Sequence, residues 1–363
     1  MRRGSSRSGG SVARSRETGP ALATLTIQPM PIRQMMNTTN ATDPMPLPPD
    51  TSLEIAVRSL RSPTGHGRQE NQDNYLVVDG EGRARLLWRE QETELRLPGW
   101  PPGHRRLVLL DGMGGHSHGR EATEKTIEGL LELPAAVDLA PISAGLNALH
   151  HRLRQQFQVA GLETGCTLIL LEVPPSGPAL LFHVGDSRVY VVDARQVQCL
   201  TVDHVPATHM ALLGLMDGAQ WFQQVHIRTS SQISQAFGLG NTLGASLPYP
   251  ETIAEDLFEL HGGNLPLFLR GLDDRRALEL EAGRIYLLAS DGLWRLANPQ
   301  AFIQRWPALL GQTHRPLEEL ADTLLAELVE EIRRQRSQPD DNCTIILARR
   351  SGWVEDLPTE DTP

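Results

Sequence analysis

A chain of 363 residues with 40% apolar residues can bury one large core or two ordinary ones, and its net charge of -10 argues against nucleic acid as the main partner. The three cysteines, Cys166, Cys199 and Cys343, are odd in number and scattered, which points to a reducing compartment and away from a disulfide framework. No run approaches the roughly 18 apolar residues of a membrane helix, so a cytoplasmic, non-membrane location is expected.

Residues 1–50 predict a disordered tail. Arg2, Arg3, Arg7, Arg14 and Arg16 precede the first acid, Glu17. Such a start can be a transit peptide, but no amphipathic stripe accompanies the arginines, and a tail is the better reading. The expected domain spans 51–350. Leu53, Ile55 and Val57 alternate with polar neighbours, a half-buried strand. Gly65 and Gly67 mark a turn before a second strand at Tyr75–Val78. Residues 80–106 are polar and predict a hairpin with a long tip. Leu107–Leu110 reads as a buried strand that ends at Asp111, followed at once by Gly112, Gly114 and Gly115. Taken alone, this stretch reads equally as a metal-holding corner or as a strand–turn–helix corner with a capping Asp.

Helical spacing follows at Glu121–Leu133, with Ile127, Leu130 and Leu131 on one face, and at Ile142–Val159. Cys166–Val173 reads as a continuous central strand. Leu180–Val184 and Val189–Val192 are two more, joined by Gly185-Asp186-Ser187-Arg188. Residues 205–250 predict short helices or loops. Ile285–Ala289 is a strand running into Asp291. Helices are predicted at Pro299–Leu310 and Pro316–Ile332, then a strand at Cys343–Ala348 after Asp340 and Asp341. Residues 351–363 read as a loose acidic tail. Strands in hairpin order with helix pairs between them predict antiparallel sheets covered by helices, not a parallel array.

Five aspartates share a context: Asp73, Asp111, Asp186, Asp291 and Asp341 each flank an apolar run. One such acid is usually a turn residue or cap. Five, if clustered, would need a cation to offset their repulsion. Oxygen-only ligation favours Mg²⁺ or Mn²⁺ over Zn²⁺. Arg68, five residues before Asp73, could add a bidentate phosphate contact, and His116 in the glycine turn could act as a general acid. Taken singly, these two read better as a surface arginine and a solvent-exposed histidine.

The motifs together resemble the metal-dependent serine/threonine phosphatases, the PPM or protein phosphatase 2C family, in their bacterial form. They are Arg68 with Asn71-Gln72-Asp73, Asp111-Gly112-Met113-Gly114-Gly115-His116, Gly165-Cys166-Thr167, Gly185-Asp186-Ser187-Arg188, Leu200-Thr201 with Asp203-His204, Ala289-Ser290-Asp291-Gly292-Leu293-Trp294, and Asp341-Asn342. They stand in family order across about residues 52–350. The resemblance implies an α+β fold, a four-layer αββα sandwich of two antiparallel sheets flanked by helix pairs. It implies two Mn²⁺ or Mg²⁺ ions: Asp111 shared by both, Asp291 and Asp341 on the first, the Gly112 carbonyl and Asp73 on the second. Asp186 with Asp291 would form a third, weaker site. It further implies that Arg68 grips the substrate phosphate, that His116 protonates the leaving group, and that a metal-activated bridging water attacks phosphoserine or phosphothreonine on proteins. A monomer opposed by a Ser/Thr kinase is the expected setting. The chain departs from the family at Arg295, where relatives often carry Asp. That favours one rival, a catalytically weakened phosphatase-fold binding or regulatory module; the intact acids argue against it. A second rival, an anti-anti-sigma type regulatory phosphatase, is made less likely by Gly185-Asp186-Ser187-Arg188 and by Leu200-Thr201 with Asp203-His204.

Overall fold

The computed structural model describes residues 53–113, 118–228, 232–242, 257–312, 314–337 and 341–351. The predicted tail at 1–50, the tail predicted at 351–363 beyond Ser351, and the glycine-turn residues 114–117, His116 among them, lie outside the described residues. The strands in chain order are β1 (Leu53–Leu60), β2 (Asn74–Val78), β3 (Arg83–Trp88), β4 (Gln91–Arg96), β5 (Arg105–Leu110), β6 (Gly112–Met113), β7 (Gly165–Cys166), β8 (Leu168–Val173), β9 (Ala179–Val184), β10 (Arg188–Val192), β11 (Val197–Cys199), β12 (Gln235–Ala236), β13 (Gly240–Asn241), β14 (Arg275–Leu278), β15 (Ile285–Ala289) and β16 (Cys343–Arg350). The helices are α1 (Gly119–Glu132), α2 (Leu139–Val159), α3 (Pro206–Leu212), α4 (Gly218–Phe222), α5 (Pro299–Ile303), α6 (Trp306–Leu310) and α7 (Leu317–Gln335).

Two large antiparallel sheets result. One has the order β1-β16-β15-β10-β11, the other β14-β9-β8-β5-β2-β3-β4. Period-two alternation explains how they stack. In β5, Leu107 and Leu109 join Val57, Tyr75, Ile169, Val189, Leu288 and Ile346 between the sheets. Val108 and Leu110 point to the opposite face and meet Ile127 and Leu130 of α1 and Leu146, Leu149 and Leu153 of α2. The five-stranded sheet likewise turns Leu287, Ile345 and Leu347 toward Trp306 and the Leu320, Leu324 and Leu328 stripe of α7. Strands buried on both faces read as near-continuous apolar runs, as β5 and β8 do. The expected four-layer αββα sandwich is what the chain forms. A satellite core joins Val202, Val205, Trp221 and Val225 to Phe258, Leu260, Leu265 and Leu269.

Three expectations are corrected. The 80–106 hairpin has no long tip: β3 and β4 are joined by Arg89 and Glu90, both at positive φ. The strand expected over Cys166–Val173 breaks at Thr167, whose N–H bonds the Asp111 carbonyl at 2.8 Å. The helix expected over Pro299–Leu310 is two short helices, because Pro307 has no N–H to continue the first and instead begins the second.

Candidate metal centre

Register alone brings the strand-end acids together. Asn74 pairs with Leu110, so Asp73 and Asp111 lie side by side at one end of the seven-stranded sheet. Ala289 pairs with both Arg188 and Ile345, which sets Asp186, Asp291 and Asp341 at the same end of the five-stranded sheet. Because the two sheets stack, the groups converge. Arg68, Asp111, Gly112, Asp186, Asp291, Arg295 and Asp341 line one pocket of about 520 Å³, together with Gln232, Ile233 and Thr242.

Hydroxyl groups stitch the sheets at this point. The Thr344 N–H donates to Ser290 Oγ at 2.9 Å, and Ser290 Oγ donates to Asp73 Oδ2 at 2.7 Å. The Asp111 N–H donates to Thr167 Oγ1 at 2.9 Å, and Thr167 Oγ1 lies 2.7 Å from Ser187 Oγ. Asn342 holds the loop that carries Arg68: its amide donates to the Arg61 and Glu70 carbonyls and its Oδ1 accepts from the Gln72 N–H. Gly112 is required by close approach, since a Cβ there would lie 2.4 Å from the Gly119 carbonyl oxygen and 2.7 Å from that of Gln72. Gly185 adopts φ +104, and a Cβ would meet Thr167 Cγ2 at 2.6 Å.

Buried groups behind the pocket fix the turn that presents Asp186. Arg188 is fully buried, forks onto Asp203 with Nε–Oδ1 of 2.9 Å and Nη2–Oδ2 of 2.7 Å, and lies 4.5 Å from the centre of the Trp294 ring. The ring of His183 contacts the Ser187 carbonyl through Nε2 at 2.8 Å. The Gly185 N–H donates to His204 Nδ1 at 2.9 Å, so that ring carries its proton on Nε2, where it donates to Asp274 Oδ2 at 3.0 Å. Burial opposes ionisation of Asp274, but His204 and His183 outweigh it and hold the carboxyl at about 2. His183, His204 and Asp274 offer ligand atoms within 4.8 Å of one another. With Nδ1 of His204 taken by a backbone donor, the group is a hydrogen-bonded prop and not a ligand set.

The electrostatics of the pocket are one-sided. Burial first, then the charges of Asp73, Asp291 and Asp186, push the Asp111 carboxyl well above its usual range. Burial lifts Asp73 to about 7 despite the Ser290 hydrogen bond. Burial and Asp291 raise Asp186, and burial raises Asp291 against the pull of Arg295 and Arg68. Asp73 Oδ1 is buried without a hydrogen-bond partner. Crowded oxygens, mutual repulsion and an orphaned carboxylate atom fit a hard divalent cation. Two arginines offset part of the charge at the outer edge. Arg68 binds Asp341 through Nε–Oδ1 at 2.6 Å and Nη2–Oδ2 at 3.2 Å. Arg295 pairs with the same Asp341 and sits 3.4 Å from Asp291 Oδ2.

The structure thus brings together Arg68, Asp73, Asp111, Gly112, Asp186, Asp291 and Asp341, while His116 falls outside the described residues. Sequence reasoning named Ser187, Arg188 and Ser290 only as members of their motifs, with no role of their own, and missed Thr344. The available signal was a hydroxyl or a cation directly beside a strand-end acid.

No family model matches the chain. Among curated proteins, it is 35% identical over 167 residues to human probable protein phosphatase 1N, covering 43% of this chain and 37% of that protein. It is 33% identical over 110 residues to the serine/threonine protein phosphatase PstP of Mycobacterium tuberculosis, covering 28% of this chain and 21% of PstP. The chain therefore spans well under half the length of these relatives. Among solved structures, the serine/threonine phosphatase of S. agalactiae aligns at a TM-score of 0.56 and 19% identity, over 83% of this chain and all of that one. The PstP catalytic domain in complex with two manganese ions aligns at 0.51 and 22%, over 83% and 99%. The chain thus shares the fold of these solved phosphatases, and over part of its length its sequence is similar to two curated protein phosphatases.

Proposed function

We propose that this chain removes phosphate from phosphoserine and phosphothreonine in proteins, using Mn²⁺ or Mg²⁺ held by Asp73, Asp111, the Gly112 carbonyl, Asp186, Asp291 and Asp341. The observation that carries the reading is the convergence of four carboxylates from two sheets on one pocket, with a fifth, Asp73, buried beside Asp111 and one of its oxygens left unpartnered. Two ions, with a third and weaker one at Asp186 and Asp291, would supply an acidified water and neutralise phosphate charge. The chain's own share is recognition and proton delivery. The Arg68 side chain lines the pocket and is 44% exposed, so its planar fork can swing from Asp341 to a phosphate. His116 would give the leaving alkoxide its proton. A covalent route through Cys166 is unsupported: it is buried, and burial pushes its thiol up to about 12.

The partners of this reading are phosphorylated proteins and an antagonist Ser/Thr kinase, in the cytoplasm, with the chain acting as a monomer. Three free cysteines agree with a reducing compartment, and no helix among the described residues is long and apolar enough to cross a membrane. The test is hydrolysis of a generic phosphopeptide with and without Mn²⁺. Turnover that requires the ion supports the reading, and none under either condition refutes it. A second reading, a phosphatase-fold binding module, draws on Arg295, whose guanidinium pairs with two of the proposed ligands. Phosphopeptide binding without turnover would favour it.

A further inference from the structure

The five clustered acids do not share their counter-charges evenly. Among the described residues, Asp73, Asp111 and Asp186 make no ion pair, whereas Asp291 and Asp341 are paired to arginines. Both oxygens of Asp341 face guanidinium nitrogens of Arg68, and Arg295 contacts one of them as well. Arg295 is also tied in place by its main chain, because its N–H donates to the Asp291 carbonyl at 3.0 Å. That bond closes the short turn Asp291–Leu293 and aims the side chain back over the acids. The Arg295 side chain is 24% exposed and Asp291 13%, so their attraction is only partly screened by water.

We propose that Arg295 is a built-in counter-cation of this site, which neutralises Asp291 and Asp341 in the metal-free protein and which a divalent ion must displace to reach them. The inference rests on the metal-binding reading given above. It has two consequences of opposite sign. A resident like charge weakens the binding of an incoming cation. The same charge stabilises the metal-free protein, since removing one partner of a partly buried pair leaves the other uncompensated. Arg68 cannot substitute, because its side chain is more exposed and sits on a loop, while Arg295 follows directly on the turn that carries Asp291. The site therefore divides into an inner part around Asp73 and Asp111, open to a cation, and an outer part guarded by arginine.

Isothermal titration with Mn²⁺ tests this on the whole chain, with thermal melting in EDTA as a readout independent of turnover. The variants are Arg295→Met, which keeps the apolar stem, and Arg295→Lys, which keeps the charge. Arg284→Ala, a surface arginine paired with Glu281 and Asp193, serves as the control. Arg295→Met is expected to bind its weakest Mn²⁺ about tenfold more tightly than the parent, to keep the tightest unchanged, and to melt at a lower temperature in EDTA. Arg295→Lys is expected to stay within about threefold of the parent. If Arg295→Met cannot be obtained folded, weakest-site affinities of the parent and Arg295→Lys are compared across salt, and affinity that fails to respond to charge screening overturns the proposal. Parent and Arg295→Met binding Mn²⁺ alike and melting alike would overturn it while leaving the metal reading intact. No Mn²⁺ binding by either protein would overturn both.

Discussion

Replacing Asp73 with Asn is expected to stabilise the metal-free protein while removing one of its ligands. Asp73 is 2% exposed, and its carboxyl is lifted from 3.8 to about 7, chiefly by burial. A carboxyl raised in the folded state means that the folded form holds a proton which the unfolded chain releases. Stability therefore falls as pH climbs from about 4 to 7 and stays low above that. A rise of about three powers of ten, at about 1.4 kcal/mol each, sets a ceiling near 4 kcal/mol. Asparagine retains an acceptor for the Ser290 hydroxyl, which reaches Asp73 at 2.7 Å. It does not relieve the repulsion among Asp111, Asp186 and Asp291, so about half the ceiling, roughly 2 kcal/mol, is the expected gain at pH 8. For a domain of this size that is a Tm increase of about 4 °C. At pH 5 the native Asp73 is itself protonated while the unfolded chain is already largely ionised, so the gain should shrink to less than half of its value at pH 8. The assay is calorimetric melting in EDTA at both pH values, repeated with Mn²⁺ at pH 8, where the variant should lose part of the parent's metal-induced rise. Equal Tm values at pH 8 in EDTA, or a gain of the same size at pH 5, would refute the claim that an unpaired buried carboxylate strains the empty pocket.

Asp111→Asn and Asp291→Asn are each expected to abolish Mn²⁺-dependent turnover with the circular dichroism spectrum unchanged; wild-type kcat in either would sink the metal assignment. Gly112→Ala must push the Gly119 and Gln72 carbonyls apart, and a loss of both Mn²⁺ binding and at least 2 kcal/mol of stability, roughly the cost of forced overpacking, is expected from denaturant titration. Arg188→Ala leaves Asp203 buried without its partner and should cost about 3–5 kcal/mol, read as a shift in the denaturation midpoint at constant slope. His116→Ala should slow phosphopeptide hydrolysis by about 10² or more while sparing p-nitrophenyl phosphate, whose leaving group needs little proton help; equal slowing of both would reassign His116 to shaping its loop.

The acids were legible because each flanks an apolar run, and a carboxylate beside a buried strand is costly enough to stand out. Their convergence was not legible from spacing alone; it follows from the pairings Asn74–Leu110, Ala289–Arg188 and Ala289–Ile345, which only the folded sheets reveal. Arg295 was visible as a departure from the family pattern, but not its contact with Asp341, which lies 46 residues further along the chain. The roles of Ser290 and Ser187, quoted only within their motifs, and of Thr344 were not legible because a hydroxyl beside a strand end is equally at home in water. The tight turn at Arg89 and Glu90 lacks the Asn-Gly signature that usually marks two residues at positive φ, which is why a longer tip was expected.

The span of the chain between the first and last acids also bears on how the protein folds and persists. Ser290 and Asp73, joined by one hydrogen bond, stand 217 residues apart, and Arg68 and Asp341 stand 273 apart. Closing such loops is slow, and contacts of this reach form late, after each sheet has its local hairpins. A cation held between the sheets would then act as a crosslink made after the rate-limiting step. By that logic, added Mn²⁺ leaves the refolding rate nearly unchanged and slows unfolding, so that its benefit to the protein is measured in lifetime and not in speed of assembly.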